Sequence, residues 1–111
     1  MRTIFAQMIN REIPADIIYE DELCIAINDI NPQAPVHILL IPKLCIPRLS
    51  LAEISHDKIL AHLMLTVTKV AQQADLTDFR IVINNGPMAG QSVEHLHLHI
   101  LGGRALLWPP G

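Results

Sequence analysis

Apolar residues change their spacing along the first third of the chain, and each spacing predicts a different element. Residues 3–10 carry apolar side chains at helical spacing, which predicts a short amphipathic helix that ends before Pro14. Residues 17–20 and 23–28 are short β-like runs, and the acidic pair between them is typical of a tight hairpin. This part of the chain therefore predicts a helix followed by two antiparallel strands.

The middle of the chain passes from a loop to a strand and then to a helix. Residues 28–35 are dense in Asn, Asp and Pro and predict an ordered loop, while residues 37–41 predict a strand with a buried face. From Ser50, which has capping-box spacing with Glu53, apolar residues recur every three or four positions as far as Ala74. These patterns predict a third strand and one long helix.

The last third of the chain returns to strand patterns. Residues 79–84 predict a strand, and residues 84–92 form a loop of Gly, Pro and Asn that leads into a final strand within residues 93–103. Connections between neighbouring strands are too short for parallel crossovers except across the long helix. We therefore expect one α+β domain over residues 1–111, with a meandering antiparallel sheet of five strands.

The final strand, VEHLHLHILGG, contains half of the six histidines of the chain. Because successive side chains of a strand point to opposite faces, His95, His97 and His99 are predicted to share one face. The other face is apolar and is expected to pack in the core; it consists of Leu96, Leu98 and Ile100. The strand would hold three imidazoles in a row on a rigid element, which predicts a functional site.

Composition argues against some classes of binding partner. The formal net charge is −3 and no stretch collects Lys and Arg, so we expect no nucleic-acid polymer as a ligand. No apolar run approaches the roughly 20 residues of a membrane helix, and charged residues interrupt the N-terminal apolar positions before a signal peptide forms. Cys24 and Cys45 lack metal-like spacing and are expected to be free thiols. These features predict a cytoplasmic protein without a membrane partner.

Three interpretations of the histidines remain open on these residues alone. They are ordinary surface or core-edge residues, or zinc ligands, or catalysts of a metal-free reaction in which a neutral imidazole attacks phosphorus. The preceding loop favours the third, because Asn84, Ser92 and Gly-flanked amides are groups that bind anions. Glu94, the adjacent carboxylate, is predicted to point away from His95, which weakens the zinc interpretation.

Residues 95–101, His-Leu-His-Leu-His-Ile-Leu, match the histidine triad pattern of alternating histidine and apolar residues. The segments INDINPQAPVHILLIPK and GQSVEHLHLHILGGR and the terminal WPPG extend the match over residues 3–111. The sequence therefore resembles the Hint branch of the histidine triad (HIT) superfamily, the histidine triad nucleotide-binding proteins. The resemblance implies a HIT-like fold and a homodimer that hydrolyses the P–N bond of purine nucleoside phosphoramidates, derivatives of AMP or GMP, and that also cleaves related acyl-adenylates. It implies no metal and no cofactor.

The resemblance also implies catalytic roles. His97 corresponds to the nucleophile that forms a covalent nucleotidyl-histidine intermediate, and His99 to the residue beside the phosphate and the leaving group. His95 and His37 correspond to histidines that support and orient the nucleophile, and Ser92 lies beside the scissile bond. The implied nucleotide-binding positions are Phe5, Ile13 and Ile27 for the purine, Asp29 for the ribose hydroxyls, Asn84 and Gly90 for the phosphate, and Gln91 and Ser92 near the scissile bond, together with His97 and His99.

Several of these positions also have a purely structural interpretation. His37 begins a buried-looking strand, Asp29 lies in a turn-forming loop, and the three apolar purine positions have the character of core residues. The remaining histidines, His56 and His62, are assigned to solvent or the helix surface. An alternative of a different class is a dimeric scaffold or regulatory module that binds purine nucleotides with little turnover.

The sequence departs from the Hint pattern at Cys45, at Glu94, and at the loop residues Pro87 and Met88, where that branch usually has a small or acidic pair. Cys45 stands where that branch commonly has a histidine, and Glu94 where it often has an aromatic residue, which leaves open the leaving-group preference and any auxiliary zinc binding. The tail at residues 105–111 contains the single tryptophan, Trp108, among prolines. Because tryptophan is enriched at interfaces, the tail is expected near the active site of the dimer partner.

Overall fold

The structure, a computed structural model, describes residues 2–111. Its helices and strands are α1 (Ile4–Ile9), β1 (Ile17–Glu20), β2 (Cys24–Asn28), β3 (Val36–Pro42), α2 (Asp57–Gln73), β4 (Phe79–Val82) and β5 (Leu98–Gly102). Short 3-10 turns lie at Leu49–Leu51, Ile54–His56 and Pro87–Ala89. The predicted α+β class is confirmed. No helix within these residues is long and apolar enough to cross a membrane.

The sheet has five antiparallel strands in the order β1-β2-β3-β5-β4. The expected simple meander is wrong in one respect, because β5 lies between β3 and β4 and leaves β4 at the edge. Strand β5 buries alternate residues and is paired with β3 on one side and with β4 on the other. Within the β3–β5 pair, Leu39 lies opposite His99 and His37 opposite Leu101, so the two histidines are diagonal neighbours.

Both faces of the sheet are covered. One face carries Ile38, Leu40, Leu98 and Ile100 and packs against the apolar stripe of α2, which consists of Leu63, Val67 and Val70. The opposite face carries a smaller cluster against α1, formed by Phe5, Ile25, Ile27, Leu39 and Ile41. By strand alternation, His37 and His99 belong to the α1 face. The histidines therefore lie opposite the main core, as expected.

The predicted start of the long helix at Ser50 is wrong, because α2 begins at Asp57. The capping box forms one turn earlier than the helix: the backbone N–H of Glu53 donates to Nδ1 of His56, at 2.9 Å, around a 3-10 turn. The backbone N–H of Ser50 donates to Oδ1 of Asn85 at 2.8 Å, which ties this segment to the loop before the histidines. A long-range hydrogen bond from Ser50 to Asn85 therefore replaces the predicted capping box of Ser50 and Glu53.

The predicted strand over the histidines is wrong at its beginning, because β5 starts at Leu98. The backbone N–H of His95 donates to the carbonyl of Val93 at 2.8 Å, which closes a local turn. The N–H of Leu96 donates to the carbonyl of Ile46 at 2.6 Å. His95 and His97 thus lie in an irregular segment ahead of the strand. The alternation of side chains nevertheless persists, since Leu96 is buried in the main core.

Candidate active site

The site is built from the histidines that β3, β5 and the segment before β5 bring together. His37 and His99 are joined by a hydrogen bond of 2.9 Å between Nε2 of the first and Nδ1 of the second. The rings of His97 and His99 have centroids 5.0 Å apart. His95 is fully enclosed, His97 is 7% exposed and His99 is half-buried. Three triad rings and His37 therefore form one continuous cluster.

The hydrogen bonds of His37 fix which nitrogens carry protons. The backbone N–H of Gln33 donates to Nδ1 of His37 at 3.0 Å, so this nitrogen has a lone pair and the proton of the ring is on Nε2. Nε2 of His37 then donates to Nδ1 of His99. Because that nitrogen accepts, the neutral ring of His99 carries its proton on Nε2. His99 is therefore oriented as a hydrogen-bond donor.

His97 has the opposite orientation. Its Nδ1 lies 2.7 Å from the carbonyl oxygen of His95, which only accepts, so Nδ1 carries the proton. Its Nε2 is then an unprotonated nitrogen; within residues 2–111 it has no hydrogen-bond partner and is not sealed from solvent. Phe5 contacts the ring edge-on at a centroid distance of 4.9 Å and holds it in place. A nucleophilic nitrogen thus lies beside a donor.

Burial keeps the triad uncharged. Burial lowers the pKa of His95 and of His97 below the ordinary histidine value. Burial, followed by the neighbouring rings of His97 and His37, lowers the pKa of His99 to about 4. All three rings are therefore neutral at pH 7. The free site combines one lone pair and one N–H donor without a positive charge, and both groups suit attack on phosphorus and binding of its oxygens.

Asp29 holds both a turn and the edge of the site. Its Oδ1 accepts from the backbone N–H of Asn31 at 2.8 Å, which is the turn role. Its Oδ2 lies 3.5 Å from Nε2 of His37. The carboxylate is only partly buried, so Oδ2 remains open for a further donor. Asp29 therefore performs the turn role and keeps its other carboxylate oxygen beside His37.

The loop before the histidines contains the residues that the resemblance assigns to the phosphate and the scissile bond, and these residues differ in their contacts and burial. Asn84 and Gly90 are adjacent: a Cβ added to Gly90, whose φ is +100°, would lie 3.7 Å from Nδ2 of Asn84. Gln91 is buried, and its side chain bonds to three backbone groups, those of Gly86, Pro47 and Val93. Gln91 therefore locks the loop. Ser92, the next residue, is exposed.

The positions implied for the purine are divided between core and surface. Phe5 and Ile27 are buried in the α1-side cluster, with exposed fractions of 6% and 4%. Ile13 lies outside that cluster and lines an open groove of about 350 Å³ between α1 and β1, together with Met8 and Ile17. These three positions thus border the same region of the fold without forming a single wall.

Two groups contain enough ligand-type side chains to hold a metal ion. In the first, ligand atoms of Asp29, His37 and His99 lie within 4.8 Å of one another. A cation there would have to displace the proton that joins His37 to His99, so this arrangement fits a hydrogen-bonded pair better than a metal site.

The second group consists of Asp21, Cys24 and His62. Burial opposes ionisation of Asp21, but hydrogen bonds from Leu23, His62, Tyr19 and Cys24 outweigh it and hold the pKa of this carboxyl well below its usual range. Burial, then Asp21, raises the pKa of the Cys24 thiol to about 12. His62, expected at solvent or the helix surface, lies on α2 with its side chain 34% exposed, and its Nε2 lies 2.7 Å from Oδ2 of Asp21. The cluster ties the β1–β2 hairpin to α2.

Cys45 and Glu94, at which the sequence departs from the Hint pattern, lie beside the site. Both cysteines are free thiols, as predicted; Cys45 is exposed and Cys24 buried. The carboxylate of Glu94 forms an ion pair with Arg48 and is exposed. The sequence around Arg48 contains no pattern that predicts its contact with Glu94, 46 positions away.

The contact between Thr3 and His95 is a second one that the sequence patterns did not predict. The hydroxyl of Thr3 lies 3.0 Å from Nδ1 of His95, on the far side of the triad from His37. A threonine directly before an apolar helical pattern is an N-cap signal, and this signal locates Thr3 at the start of α1. The contact with His95, 92 positions away, has no counterpart in the local pattern.

A five-stranded antiparallel sheet that carries alternating histidines beside a fourth histidine defines a domain of the histidine triad type. The family model described as HIT domain matches residues 10–106. The 14 kDa zinc-binding protein of Zea mays is 51% identical over 112 residues, which cover 98% of this chain and 88% of the maize protein. The chain belongs to the HIT family.

Two solved structures are similar throughout. The HIT family hydrolase of Legionella pneumophila superposes with a TM-score of 0.96 at 39% identity, covering 99% of this chain and 100% of that one. The histidine triad nucleotide-binding protein of Candida albicans superposes with a TM-score of 0.84 at 28% identity, covering 97% and 83%. The chain therefore has the fold shared by HIT hydrolases and histidine triad nucleotide-binding proteins.

Proposed function

We propose that this protein hydrolyses the P–N bond of purine nucleoside phosphoramidates, and the P–O anhydride bond of related acyl-adenylates, through a covalent bond between His97 and the nucleotide. The observation that carries the proposal is the protonation pattern of the cluster. Nε2 of His97 has a free lone pair because Nδ1 is bonded to the carbonyl of His95. The neighbouring His99 presents an N–H because its Nδ1 accepts from His37. The names of the Legionella and Candida proteins support hydrolysis and a nucleotide ligand.

The first half-reaction forms the covalent intermediate. Nε2 of His97 attacks the α-phosphorus, the P–N bond breaks, and its electron pair goes to the leaving nitrogen. That nitrogen takes a proton from solvent, for which the exposed hydroxyl of Ser92 is a relay. The ring of His97 becomes positively charged, and the carbonyl of His95 at 2.7 Å stabilises this charge. His99 donates to a phosphoryl oxygen through its Nε2–H.

The second half-reaction restores the enzyme. Water attacks phosphorus, the bond to Nε2 of His97 breaks, and the nitrogen recovers its lone pair. The proton that water loses returns to solvent, so no net proton remains on the protein. The products are a free amine and a nucleoside monophosphate. In this scheme Asp29 receives the ribose hydroxyls through Oδ2, Phe5, Ile13 and Ile27 surround the purine, and Asn84, Gly90 and Gln91 border the phosphate.

The reaction is proposed to need no metal. The maize relative is named for zinc binding, so the role of a metal is tested directly. The hydrogen bond between His37 and His99 supports the metal-free scheme, because a cation would remove the interaction that orients His99. Rates measured with and without a strong chelator should be equal, whereas loss of activity that added zinc restores would contradict the scheme.

The central experiment uses a fluorogenic adenosine phosphoramidate. His97→Ala should abolish both turnover and trapping of labelled nucleotide on the protein, because no other residue has a free imidazole lone pair at that position. His56→Ala, in the 3-10 turn before α2, is the matched control and should retain activity. Saturable AMP binding by the wild-type protein without turnover would favour the alternative, a nucleotide-binding scaffold or regulatory module.

A homodimer forms part of the proposal. Strand β4 is at an edge of the sheet and exposes Ile81, and the exposed Leu49 and Met64 line an apolar groove with Ile83, which directly follows β4. Exposed apolar surface next to an unpaired strand edge favours association of two copies. In such a dimer, residues 105–111 would approach the partner's site. Sedimentation of the full chain should give twice the mass of one chain.

A further inference from the structure

Thr3 connects the first helix to the triad through a single hydroxyl group. The hydroxyl oxygen accepts from the backbone N–H of Ala6 at 3.1 Å and so caps α1. The same hydroxyl lies 3.0 Å from Nδ1 of His95. A hydroxyl can accept and donate at once, so both contacts form together. The start of α1 and the orientation of a triad ring therefore depend on one side chain.

The direction of the second contact follows from the other nitrogen of His95. Nε2 lies 2.8 Å from the carbonyl of Pro42, which only accepts, so Nε2 carries the proton. Burial lowers the pKa of His95, so the ring is neutral and Nδ1 has a lone pair. Thr3 must then donate to Nδ1. His95 is 0% exposed, so no water can take the place of this donor without a change in the packing.

The two anchored nitrogens also position the backbone of His95. Its carbonyl accepts from Nδ1 of His97 at 2.7 Å, and this bond is what leaves Nε2 of His97 unprotonated. Phe5, two residues after Thr3, contacts both rings edge-on, at centroid distances of 6.1 Å and 4.9 Å. The beginning of α1 thus contacts the nucleophile from two directions.

We propose that Thr3 is a positioning residue for the nucleophile: its hydroxyl holds His95 in the Nε2–H form and so places the carbonyl that keeps the proton of His97 on Nδ1. This proposal rests on the proposed function for its kinetic consequence. Thr3 does not touch the substrate. Its loss should therefore lower kcat and leave KM nearly unchanged, because binding is made by other groups.

Three substitutions test the contact with His95, and one of them, Thr3→Asp, separates it from the cap. Thr3→Ser keeps both interactions and should behave as wild type. Thr3→Asp keeps a cap acceptor but cannot donate as a carboxylate, and it should draw a second proton onto Nδ1 of His95. Thr3→Val removes both interactions. We expect kcat to fall by about tenfold or more in the Asp and Val variants, in line with the loss of a partner that orients a functional histidine.

The protonation states are measured independently of activity by 15N NMR of histidine-labelled protein. In the wild type and Thr3→Ser, His95 should show a proton on Nε2 only and His97 on Nδ1 only. In Thr3→Asp, His95 should be doubly protonated at pH 7. Unchanged spectra and unchanged kcat in both Asp and Val variants would overturn the proposal. If the wild type lacked phosphoramidase activity, the spectra would still decide whether Thr3 sets the tautomers.

Discussion

Acidification should destabilise the fold through His99, and the structure gives the size of the effect. Burial and the adjacent rings lower the pKa of His99 from 6.5 to about 4. Because the folded-state pKa is below the unfolded-state value, the unfolded chain binds more protons between these limits. The stability contribution is therefore complete above about pH 6.5 and is lost as the pH falls toward 4, by about 3 kcal/mol in total.

Urea denaturation at several pH values between 7 and 4, at constant ionic strength, measures this contribution. The comparison is with His99→Gln, whose amide can still accept from Nε2 of His37 but does not titrate. The wild-type free energy of unfolding should fall more steeply than that of the variant, with the difference reaching about 3 kcal/mol at pH 4. His95 and His97 are present in both proteins, so the difference reports His99 together with its charge coupling to the neighbouring rings. Parallel curves for the two proteins would refute the assignment of a buried, neutral His99.

Three other outcomes test different parts of the molecule. Gly102→Ala should lower the free energy of unfolding by about 1–3 kcal/mol, because the new Cβ would lie 2.7 Å from Cδ2 of Leu76. The urea midpoint should therefore fall, and an unchanged midpoint would contradict the tight packing at this position. In native protein a thiol reagent should modify Cys45 and spare Cys24, so that Cys45→Ser abolishes the rapid phase; rapid labelling of that variant would argue against the burial of Cys24. Deletion of residues 105–111 should change substrate preference more than stability; equal preference with a large fall in Tm would count against a role at the partner's site.

Periodicity predicted most of the fold because the sheet and α2 bury regular apolar patterns. Strands β1 to β4 and helix α1 were located within a few residues, because β1 alternates, β2 and β3 are almost continuous buried apolar runs, and α1 has helical spacing. The order of β5 and β4 was not predictable, because strand order depends on which edges meet in three dimensions. The predicted start of α2 was wrong for a related reason: the backbone N–H of Ser50 donates to Asn85, a residue 35 positions away.

The histidine cluster was predicted in outline, but its chemistry came from contacts that no local pattern contains. Alternation placed three rings on one side, although His95 and His97 precede the strand. Which nitrogens carry protons depends on backbone groups of Gln33 and Pro42, which have no sequence signature of their own. The implied roles of Ser92 and Asp29 in the reaction remain predictions that kinetics must test.

The placement of β5 between two partners has a consequence for exchange and substrate access. A strand paired on both sides opens only when much of the sheet opens, so the amide of His99 should exchange with solvent near the rate of global unfolding. Movements that admit a nucleotide must therefore come from the short first helix and the loop ahead of the triad. Of the triad, only His99 lies on this strand, whereas His95 and His97 precede it and are held by hydrogen bonds to Thr3 and to the carbonyl of His95, respectively.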